Sequence, residues 1–405
     1  MSDTIKINCP KEIEEILSRL KNAGYRAYAV GGCIRDTLLG EAPHDWDITT
    51  SALPEEVLSV FQDEHTIPTG LKHGTVTVMK NHKPIEITTF RIDGAYTDSR
   101  HPESVTFSDR ISDDLSRRDF TVNALAWNEE NGIVDCFQGV SDLKNGIIRA
   151  VGSPEKRFEE DALRILRAYR FSARLGFEIE ESTRRAMVKE SHRLKNISRE
   201  RVSSEFTRLI IAKDALKVLK MMEEDGIFPY IFAGGTFTLP QQDILDKLES
   251  LPNEFEDRLA FLFRNADPDD FKKWITELRL SNKQTSDISI LSDRAKRIND
   301  LATAYEARRL LSHYGDLSER ALLIAALYGA KTNKTVEFVK RSRRDRDCVT
   351  ISALAIGGKD LISEGIASGA RIGAILSILL DEVLRDPALN TRNALIERAK
   401  VIKFE

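Results

Sequence analysis

The sequence has few cysteines, few aromatic residues and no long apolar run. Its four cysteines, Cys9, Cys33, Cys136 and Cys348, form no CxxC pair, which argues against a disulfide framework and against a zinc knuckle. No apolar stretch reaches the roughly 18 residues that a membrane span needs. The first residues, "MSDTIKINCPKEIEEILSRL", lack the basic start and apolar core of a secretory signal. We therefore expect reduced cysteines and a cytoplasmic location.

The residues that are abundant indicate a multidomain globular protein rich in helix. The 405 residues exceed the size of one usual core, and 41% of them are hydrophobic, 31% charged and 7% aromatic. The formal net charge of -4 does not decide whether nucleic acid binds, because binding depends on where the 60 Lys and Arg residues lie.

The pattern of the chain changes near Ser153. Before it, short β-rich runs such as "RAYAV", "WDITT", "GTVTVM" and "IEITTF" are separated by turn signals, with "KNHKP" as a hairpin tip. After it, apolar residues recur at three- and four-residue spacing, as in "EEDALRILRAYRFSARLGF". The expected fold class is α+β, with a mixed-sheet head followed by an all-helical remainder. We expect four parts: a head (1–150), a neck (151–205), a body (206–300) and a tail (301–405).

The segment "YAVGGCIRDTLLGEAPHDWDITT" carries two closely spaced acids. In a β-strand, Asp45 and Asp47 share one face about 7 Å apart while the intervening side chains face the core. Such carboxylates repel each other unless a cation lies between them, and the spacing suits Mg²⁺ held by carboxylates and substrate phosphates. An isolated Asp-x-Asp motif is more often just two solvated acids. The neighbouring motifs therefore decide whether Asp45 and Asp47 form a metal site. Glu86, in "PIEITTF", lies on a neighbouring strand and is a candidate third acid, either catalytic or structural.

The same segment contains a glycine turn. "AVGGCIRD" predicts a strand, a turn and a helix, so the backbone N–H groups of Gly31 and Gly32 can approach a phosphate. Arg35, in the first turn of the helix, can add a charge-assisted hydrogen bond. Most paired glycines only form tight turns, so this motif is weak by itself.

A further polar cluster occurs in "DLSRRDFTVNALAW". Arg117, Arg118 and Asp119 are expected immediately before an apolar helix, with Asn123 one turn beyond Asp119. A cation, an acid and an amide can then gather around a sugar-triphosphate. Three such polar clusters in one small head make coincidence a poor explanation.

The segment "RFEEDALRILRAYRFSARLGF" is predicted to form one helix with a polar stripe made of Asp161, Arg164, Arg167, Arg170 and Arg174. Arg174 is expected to be solvated. Cytosine and adenine each present an amino donor beside a ring-nitrogen acceptor, whereas uracil and guanine present a carbonyl beside an N–H donor. One carboxylate with one guanidinium therefore fits C and A and rejects U and G. Asp161 and Arg164 are the candidates for this task.

The motifs in combination resemble those of the class II tRNA nucleotidyltransferases, the CCA-adding enzymes. That family shares a polymerase-β-like nucleotidyltransferase head with bacterial poly(A) polymerases. The resemblance covers nearly the whole chain through "GGCIRD", "DWD", "RRDFTVNA", "VDCFQG", "EDALR", "ISRERVSSEF" and a tail segment starting at "LAIGGKD". It implies metal binding by two acids and nucleotide binding by seven residues: Asp45 and Asp47 for Mg²⁺; Gly32, Arg35, Arg118, Asp161, Arg164, Arg167 and Arg170 for the nucleotide.

The resemblance implies addition of C, C and A to the 3′ end of tRNA from CTP and ATP without a nucleic-acid template. The expected chemistry is two-metal in-line displacement, in which one metal activates the primer hydroxyl and the other steadies pyrophosphate. The neck would recognise the base and the tail would bind tRNA, where "KRSRRDR" is either a phosphate contact or a solvated loop. One departure is Gln138 in "VDCFQG", where many relatives have a glycine. A homodimer is left open.

Other functions are weighed against this one. A poly(A) polymerase or an A-only enzyme would use the same head, but the chain ends at "KVIKFE" without a long basic extension. The segment "RIDGAYTDSRHPESVTFSDR" is full length, which favours addition of the terminal A. No His-Asp dipeptide occurs outside "PHDWD", which argues against a phosphohydrolase domain. An RNA-binding protein with an inactive head is disfavoured because Asp45 and Asp47 are both present.

Overall fold

The computed structural model describes residues 7–94, 105–232, 237–293, 298, 301 and 303–402. The chain divides into two compact units. The first comprises Met1–Thr238 with Glu277–Arg279, and the second comprises Leu239–Thr276 with Leu280–Glu405. Strands occur in the described part of the first unit only: β1 Ala27–Val30, β2 Asp47–Thr50, β3 His65–Gly70, β4 Thr75–Lys80, β5 Lys83–Thr89, β6 Arg91–Asp93, β7 Val105–Phe107, β8 Leu125–Asn128, β9 Gly132–Asp135, β10 Ile147–Ile148 and β11 Glu178–Ile179.

Seven of these strands form one mixed sheet in the order β3-β4-β5-β2-β1-β8-β9. The β2–β5 pair is parallel and the other neighbours are antiparallel. The predicted "KNHKP" hairpin is confirmed, because β4 and β5 are joined by Asn81 and His82, both with positive φ. Two consecutive residues with positive φ are typical of the tight turn that matches strand twist.

Strand β1 is buried on both faces of the sheet. Ala27 and Ala29 pack into one cluster with residues of the helices and neighbouring strands, whereas Tyr28 and Val30 pack into a second cluster on the other face. A strand covered on both sides reads as a continuous apolar run, as "AYAV" does. Strand β1 therefore lies inside the head, whereas β5 alternates between buried and exposed residues.

The remainder is mostly helical, but the expectation that it is all-helical is wrong at β11, which pairs with β10 in a two-stranded parallel sheet. In the first unit the helices are α1 Lys11–Asn22, α2 Gly32–Leu38, α3 Pro54–Val60, α4 Ile111–Ser116, α5 Gly139–Asn145, α6 Pro154–Glu160, α7 Leu163–Leu175, α8 Glu181–Glu190, α9 Arg199–Ile210, α10 Ala215–Glu224 and α11 Phe228–Ile231. From residue 242 onward they are α12 Gln242–Leu245, α13 Phe255–Phe263, α14 Pro268–Glu277, α15 Asn282–Leu291, α16 Ala304–Tyr314, α17 Ser318–Leu327, α18 Asn333–Asp345, α19 Gly358–Ser363, α20 Arg371–Arg385 and α21 Arg392–Val401. No helix in these ranges is long and apolar enough to cross a membrane.

The expected α+β class is confirmed, while the four-part division stays a prediction. Helix α9 runs through the expected neck–body boundary at residue 205. The expected body–tail boundary at residue 300 and half of the full-length segment, residues 95–104, lie outside the described residues.

The "VDCFQG" motif is a turn between β9 and α5 that is held by one carboxylate. Asp135 accepts hydrogen bonds from the backbone N–H groups of Gly139 and Val140 at 2.8 and 3.0 Å. Gln138 has φ +63°, a left-handed conformation that glycine adopts more easily. A Cβ on Gly139 would lie 2.2 Å from the Thr121 carbonyl oxygen, so only glycine fits there. The turn accepts Gln138, although the backbone there favours glycine.

The basic segment "KRSRRDR" is helical and not a loop. It forms the end of α18, and its exposed side chains include Arg341 and Arg344, which are 70% and 75% exposed. Both pair with Asp345, at 3.4 and 3.1 Å, while Arg343 pairs with Glu319 at 3.3 Å. The segment thus presents an exposed basic face whose charge is partly balanced by Asp345 and Glu319.

Candidate active site

The pairing of β1 and β2 brings the glycine turn and the acids to one end of the sheet. Val30, the last residue of β1, lies opposite Asp47, the first residue of β2. Gly31 follows Val30 directly and begins the turn into α2. Asp45 precedes the strand by two residues, and both acids keep access to solvent while Ile48 is buried. The predicted alternation of acids outward and apolar residues inward is therefore present, with Asp45 just outside the strand.

Glu86 lies beside Asp47 on the neighbouring strand. The parallel register pairs Ile48 with Ile87, so the residues preceding them, Asp47 and Glu86, are neighbours across β2 and β5. Both side chains are exposed. Desolvation by the surrounding protein raises the pKa of Asp47, although part of its side chain reaches solvent. The negative charges of Glu86 and Asp45 raise this pKa further, whereas the positive charge of Arg118 lowers it. The carboxylates at this edge therefore repel one another in the free protein.

This crowding is the arrangement that a divalent cation would relieve. Among the described residues, no three His, Cys, Asp or Glu side chains are placed to bind a metal by themselves. Mg²⁺ is usually held by one or two carboxylates with water and substrate phosphates, so a complete protein cage is not required. The donor set formed by Asp45 and Asp47 fits Mg²⁺, with Glu86 close to Asp47.

Arg118 packs against the glycine turn. Gly31 has φ +84°, and a Cβ placed on it would lie 2.8 Å from Nη1 of Arg118. Asp114, fully buried, accepts from Arg117 at 2.7 Å and from Arg118 at 3.4 Å. Nε of Arg118 is buried and has no hydrogen-bond partner within the described residues. Arg118 can therefore donate a further hydrogen bond near the N-terminus of α2.

The predicted helix after "RRDF" is wrong, although the predicted contact within it is present. Residues Thr121–Asn123 form a single 3₁₀ turn, and the chain then enters β8. This turn brings Asn123 within 3.0 Å of Asp119 through Nδ2. The apolar run "ALAW" is strand because it is buried between β1 and β9.

Asp119 connects the 3₁₀ turn of the head to helix α7. Its carboxylate accepts from Nε and Nη2 of Arg167 at 2.8 and 2.6 Å, while Asn123 in turn accepts from Nη1 of Arg35 at 2.5 Å. Burial by itself raises the pKa of Asp119, but Arg167 and Asn123 outweigh it and lower the pKa well below its usual range. A polar chain thus runs from Arg35 in α2 through Asn123 and Asp119 to Arg167 in α7.

Three predicted nucleotide ligands surround one phenylalanine ring. The guanidinium carbons of Arg35, Arg167 and Arg170 lie 5.1, 5.4 and 4.2 Å from the ring centroid of Phe171. Arg35 and Arg170 are buried, and Nε of Arg170 donates to Glu205 at 2.5 Å. Cation–π contacts of this kind stabilise desolvated guanidinium groups. The structure therefore places Arg35 and Arg170 behind the surface, whereas Arg167 remains about one-third exposed.

The predicted single helix through Asp161 is wrong, because the chain breaks there. Helix α6 ends at Glu160, Asp161 is extended with φ -144°, and α7 begins at Leu163. Asp161 accepts from the backbone N–H of Leu163 at 3.0 Å and from Arg201 at 2.7 Å. Its carboxylate thus caps the start of α7 and does not belong to the arginine stripe.

Arg164 is also fixed by more hydrogen bonds than a solvated arginine on the surface of a helix would be. It is buried and donates to Glu160 at 2.8 Å, to the Arg157 carbonyl at 3.1 Å and to the Arg117 carbonyl at 2.9 Å. Its backbone N–H donates to the carbonyl of Asp161, which keeps the two predicted base-reading residues within one turn.

Arg174 is exposed, as expected, and it is also paired with acids. Arg174 is 38% exposed and pairs with Asp36 at 3.1 Å and with Glu41 at 3.6 Å. The acids come from the head, so the end of α7 is tied to α2 and to the turn that follows it.

Sequence reasoning missed the residues that hold the site from behind. Asp114, Phe171, Arg201 and Glu205 each contact one or more predicted nucleotide ligands. Opposite charges four residues apart in "RVSSE" indicate one helix face with two charged ends. That signal could have assigned Arg201 and Glu205 to one surface of α9, but not their partners.

Comparison with known proteins places the whole chain in one family. Residues 27–149 match the family model described as "Poly A polymerase head domain", residues 176–237 the one described as "Probable RNA and SrmB- binding site of polymerase A", and residues 252–399 domain 2 of tRNA nucleotidyltransferase. The chain is 36% identical over 397 residues to a CCA-adding enzyme of Leuconostoc mesenteroides, covering 96% of each chain. It is 37% identical over 386 residues to that of Lactobacillus delbrueckii subsp. bulgaricus, covering 94% of this chain and 95% of the relative.

Comparison with solved structures points to the same family. The CCA-adding enzyme of Bacillus stearothermophilus in complex with CTP superposes with a TM-score of 0.79 at 33% identity, covering 96% of this chain and 97% of that one. A tRNA nucleotidyltransferase complexed with a primer tRNA and an incoming ATP analogue gives a TM-score of 0.65 at 25% identity, covering 82% and 99%. The chain therefore belongs to the class II tRNA nucleotidyltransferases, the family of the CCA-adding enzymes.

Proposed function

We propose that this nucleotidyltransferase adds C, C and A to the 3′ end of tRNA, using CTP and ATP and no nucleic-acid template. The observation that carries the proposal is that Arg118 lies against the glycine turn that follows Val30, the partner of Asp47 in the sheet. The Asp161–Arg164 turn is joined to the same region, because Arg164 donates to the carbonyl of Arg117. The names of relatives that match along the full length support the choice of substrate.

The acids at the sheet edge would hold magnesium. Asp45 and Asp47 are the proposed ligands, and Glu86 is the proposed third acid of the site. When bound, Mg²⁺ would supply the charge that activates the primer 3′-hydroxyl and steadies pyrophosphate. The carboxylates fix the position of that charge relative to the glycine turn, because Asp47 and Val30 are paired across the sheet.

The triphosphate would lie against the start of α2. The proposed donors are the backbone N–H of Gly32 and the guanidinium of Arg118, whose Nη1 lies beside Gly31. We propose Arg167 as a further triphosphate contact, since its guanidinium is one-third exposed. Arg35 and Arg170 are proposed to contact the nucleotide from buried positions, where Asn123 and Glu205 orient them.

The base would be read by Asp161 and Arg164. A carboxylate accepts the amino proton of C or A, and a guanidinium donates to the ring nitrogen, whereas U and G offer the opposite pattern. The two residues lie in one turn, and each is fixed by a second side chain, Arg201 for Asp161 and Glu160 for Arg164. Protein side chains would then take the place of a template.

We propose tRNA as the macromolecular partner, with the helical remainder as its binding surface. A cytoplasmic location follows from that substrate. The sequence leaves a homodimer open, and sedimentation equilibrium would test it. We also propose the division into head, neck, body and tail as the functional plan, with base recognition in the neck.

One assay separates the proposed function from its alternatives. The protein is incubated with tRNA lacking CCA, with tRNA ending in CC and with an unrelated RNA, supplying CTP and ATP separately and together. We expect a single C-C-A addition confined to tRNA. Long A tails on any RNA would instead identify a poly(A) polymerase, and A added only to tRNA ending in CC would identify an A-only enzyme. Binding of tRNA with no addition would identify an RNA-binding protein with an inactive head.

A further inference from the structure

A single aromatic ring lies among three cations of the site. The guanidinium carbons of Arg35, Arg167 and Arg170 lie 5.1, 5.4 and 4.2 Å from the centroid of the Phe171 ring, within the distance at which a ring face attracts a cation. Arg35 belongs to α2, whereas the other two arginines share α7 with Phe171. The ring therefore joins cations from two separate elements.

The ring is itself fixed in place. Phe171 is 4% exposed, and its ring packs nearly perpendicular to that of Phe120, with the two centroids 5.9 Å apart. Perpendicular aromatic pairs are a favoured geometry, so each ring restricts the position of the other. Phe120 directly follows Asp119, so the ring of Phe171 is anchored next to the carboxylate that pairs with Arg167.

The ring holds the arginines in a way that a further acid could not. The three guanidinium groups already donate to three acids: Arg35 to Asp36, Arg167 to Asp119 and Arg170 to Glu205. Each carboxylate offsets one positive charge, so another acid would hold the arginines together but would repel a triphosphate. An aromatic ring attracts cations through its quadrupole and carries no net charge. The ring can therefore keep like charges close together without cancelling their attraction for an anion.

We propose that Phe171 is a positioning residue for the triphosphate, acting through the three arginines. The inference rests on the proposed function, in which these arginines contact the nucleotide. Phe171 itself would touch neither the nucleotide nor the metal. The triphosphate is common to CTP, ATP and UTP, so weakening the attraction of the ring for cations should raise the KM of every nucleotide alike. The kcat of a bound nucleotide and the choice of base should stay the same.

The test changes the electrostatics of the ring and keeps its shape. Phe171 of the full-length protein is replaced by phenylalanine carrying one, two or three ring fluorines, because each fluorine withdraws negative charge from the ring face. KM is measured for CTP on tRNA lacking CCA and for ATP on tRNA ending in CC. We expect both KM values to rise step by step, by about tenfold in total, the range of a desolvated cation–π contact. The kcat and the kcat/KM ratio of CTP to UTP should remain constant across the series.

Phe206 provides a matched control. It is similarly buried, but its ring packs against that of Phe232 with centroids 5.4 Å apart, and among the described residues no guanidinium lies over it. The same fluorinated series at Phe206 should leave both KM values unchanged. Phe171→Leu keeps an apolar side chain and removes the ring, so its KM values should rise at least as far as those of the protein with three fluorines.

A comparison with Arg167→Met separates this inference from the proposed function. If Arg167 contacts the triphosphate, Arg167→Met raises the KM for CTP, and fluorination of Phe171 has a smaller effect in that background. An unchanged KM in Arg167→Met would refute the triphosphate contact itself. A raised KM in Arg167→Met together with a flat fluorinated series would overturn only the role of Phe171.

Three other outcomes would overturn the inference. A fall in the ratio of CTP to UTP would mean that the ring acts on base reading. A loss of kcat at constant KM would mean that it supports the chemical step, and an equal rise of KM in the Phe206 series would mean that the effect is general packing. If Phe171→Leu fails to fold, as judged by circular dichroism, the fluorinated series decides, because it leaves the shape of the ring nearly unchanged.

Discussion

The ion pair between Asp119 and Arg167 of helix α7 predicts a measurable contribution to stability. Replacing Asp119 by Asn keeps the shape of the side chain but removes the charge that faces Arg167. Asp119 is 8% exposed, so the substitution removes two short hydrogen bonds of Arg167 at a buried position. Water can replace them only at the third of the Arg167 side chain that is exposed. Breaking a fully buried pair costs about 3–5 kcal/mol, and one charged hydrogen bond contributes about 1.5–3 kcal/mol. We expect Asp119→Asn to lower the free energy of unfolding by about 2–3 kcal/mol at pH 7.

The same substitution should change the dependence of stability on pH. The folded pKa of Asp119 is lowered, so its contribution is fully present above the unfolded pKa of about 3.9. As pH falls through that value toward the folded pKa, the contribution is lost. The difference between wild type and Asp119→Asn should therefore be constant from pH 7 to about pH 5 and should shrink below about pH 4.

Urea unfolding followed by tryptophan fluorescence can measure this difference. Trp46 and Trp127 lie in the first unit and Trp274 in the second, so a Trp274→Phe background restricts the signal to the unit that contains Asp119. Asp109→Asn is the control, because Asp109 is 79% exposed and should contribute little. Equal stability of Asp119→Asn and wild type at pH 7, or a difference that persists unchanged at pH 3, would refute the reasoning.

Three further predictions concern the metal, the glycine turn and tRNA. Asp47→Ala should abolish addition of both C and A while tRNA binding, measured by filter retention, stays within about twofold, because phosphate contacts lie elsewhere; substantial residual activity would contradict metal binding there. Gly31→Ala should raise the KM for CTP at least about tenfold by displacing Arg118, whereas Gly24→Ala, with similar φ and open space, should only lower stability. If α18 binds the tRNA backbone, replacing its Arg341, Arg343 and Arg344 by Gln should lower the slope of log K against log salt by about 0.7–0.9 for each phosphate that these side chains neutralise. An unchanged slope would show a solvated face.

Local patterns predicted the head well. Alternation in "WDITT" correctly placed Asp47 outward and Ile48 inward, and "KNHKP" correctly predicted the hairpin between β4 and β5. These features depend on residues close together in sequence. The order of strands in the sheet depends on pairing between distant segments, which no local pattern records.

The errors have physical causes. "TVNALAW" was predicted to be helical, but burial between β1 and β9 makes its second half a strand. The helix predicted through Asp161 is interrupted, because the carboxylate accepts from the N–H of Leu163 and so starts a new helix. The partners of Arg167 and Arg170 were not predicted, because the acids that pair with them, Asp119 and Glu205, are distant in sequence.

The pairing of Val30 with Asp47 also affects how preparations of the protein should behave. A shift of one residue in β2 would turn Asp47 toward the core and Ile48 toward water, which the sheet cannot tolerate on either face. Molecules with this shifted register would therefore fail to reach the compact folded state, and they would not persist as folded but inactive protein. In refolding experiments, the recovered specific activity and the recovered native fluorescence should rise together, so that activity serves as a count of correctly folded chains.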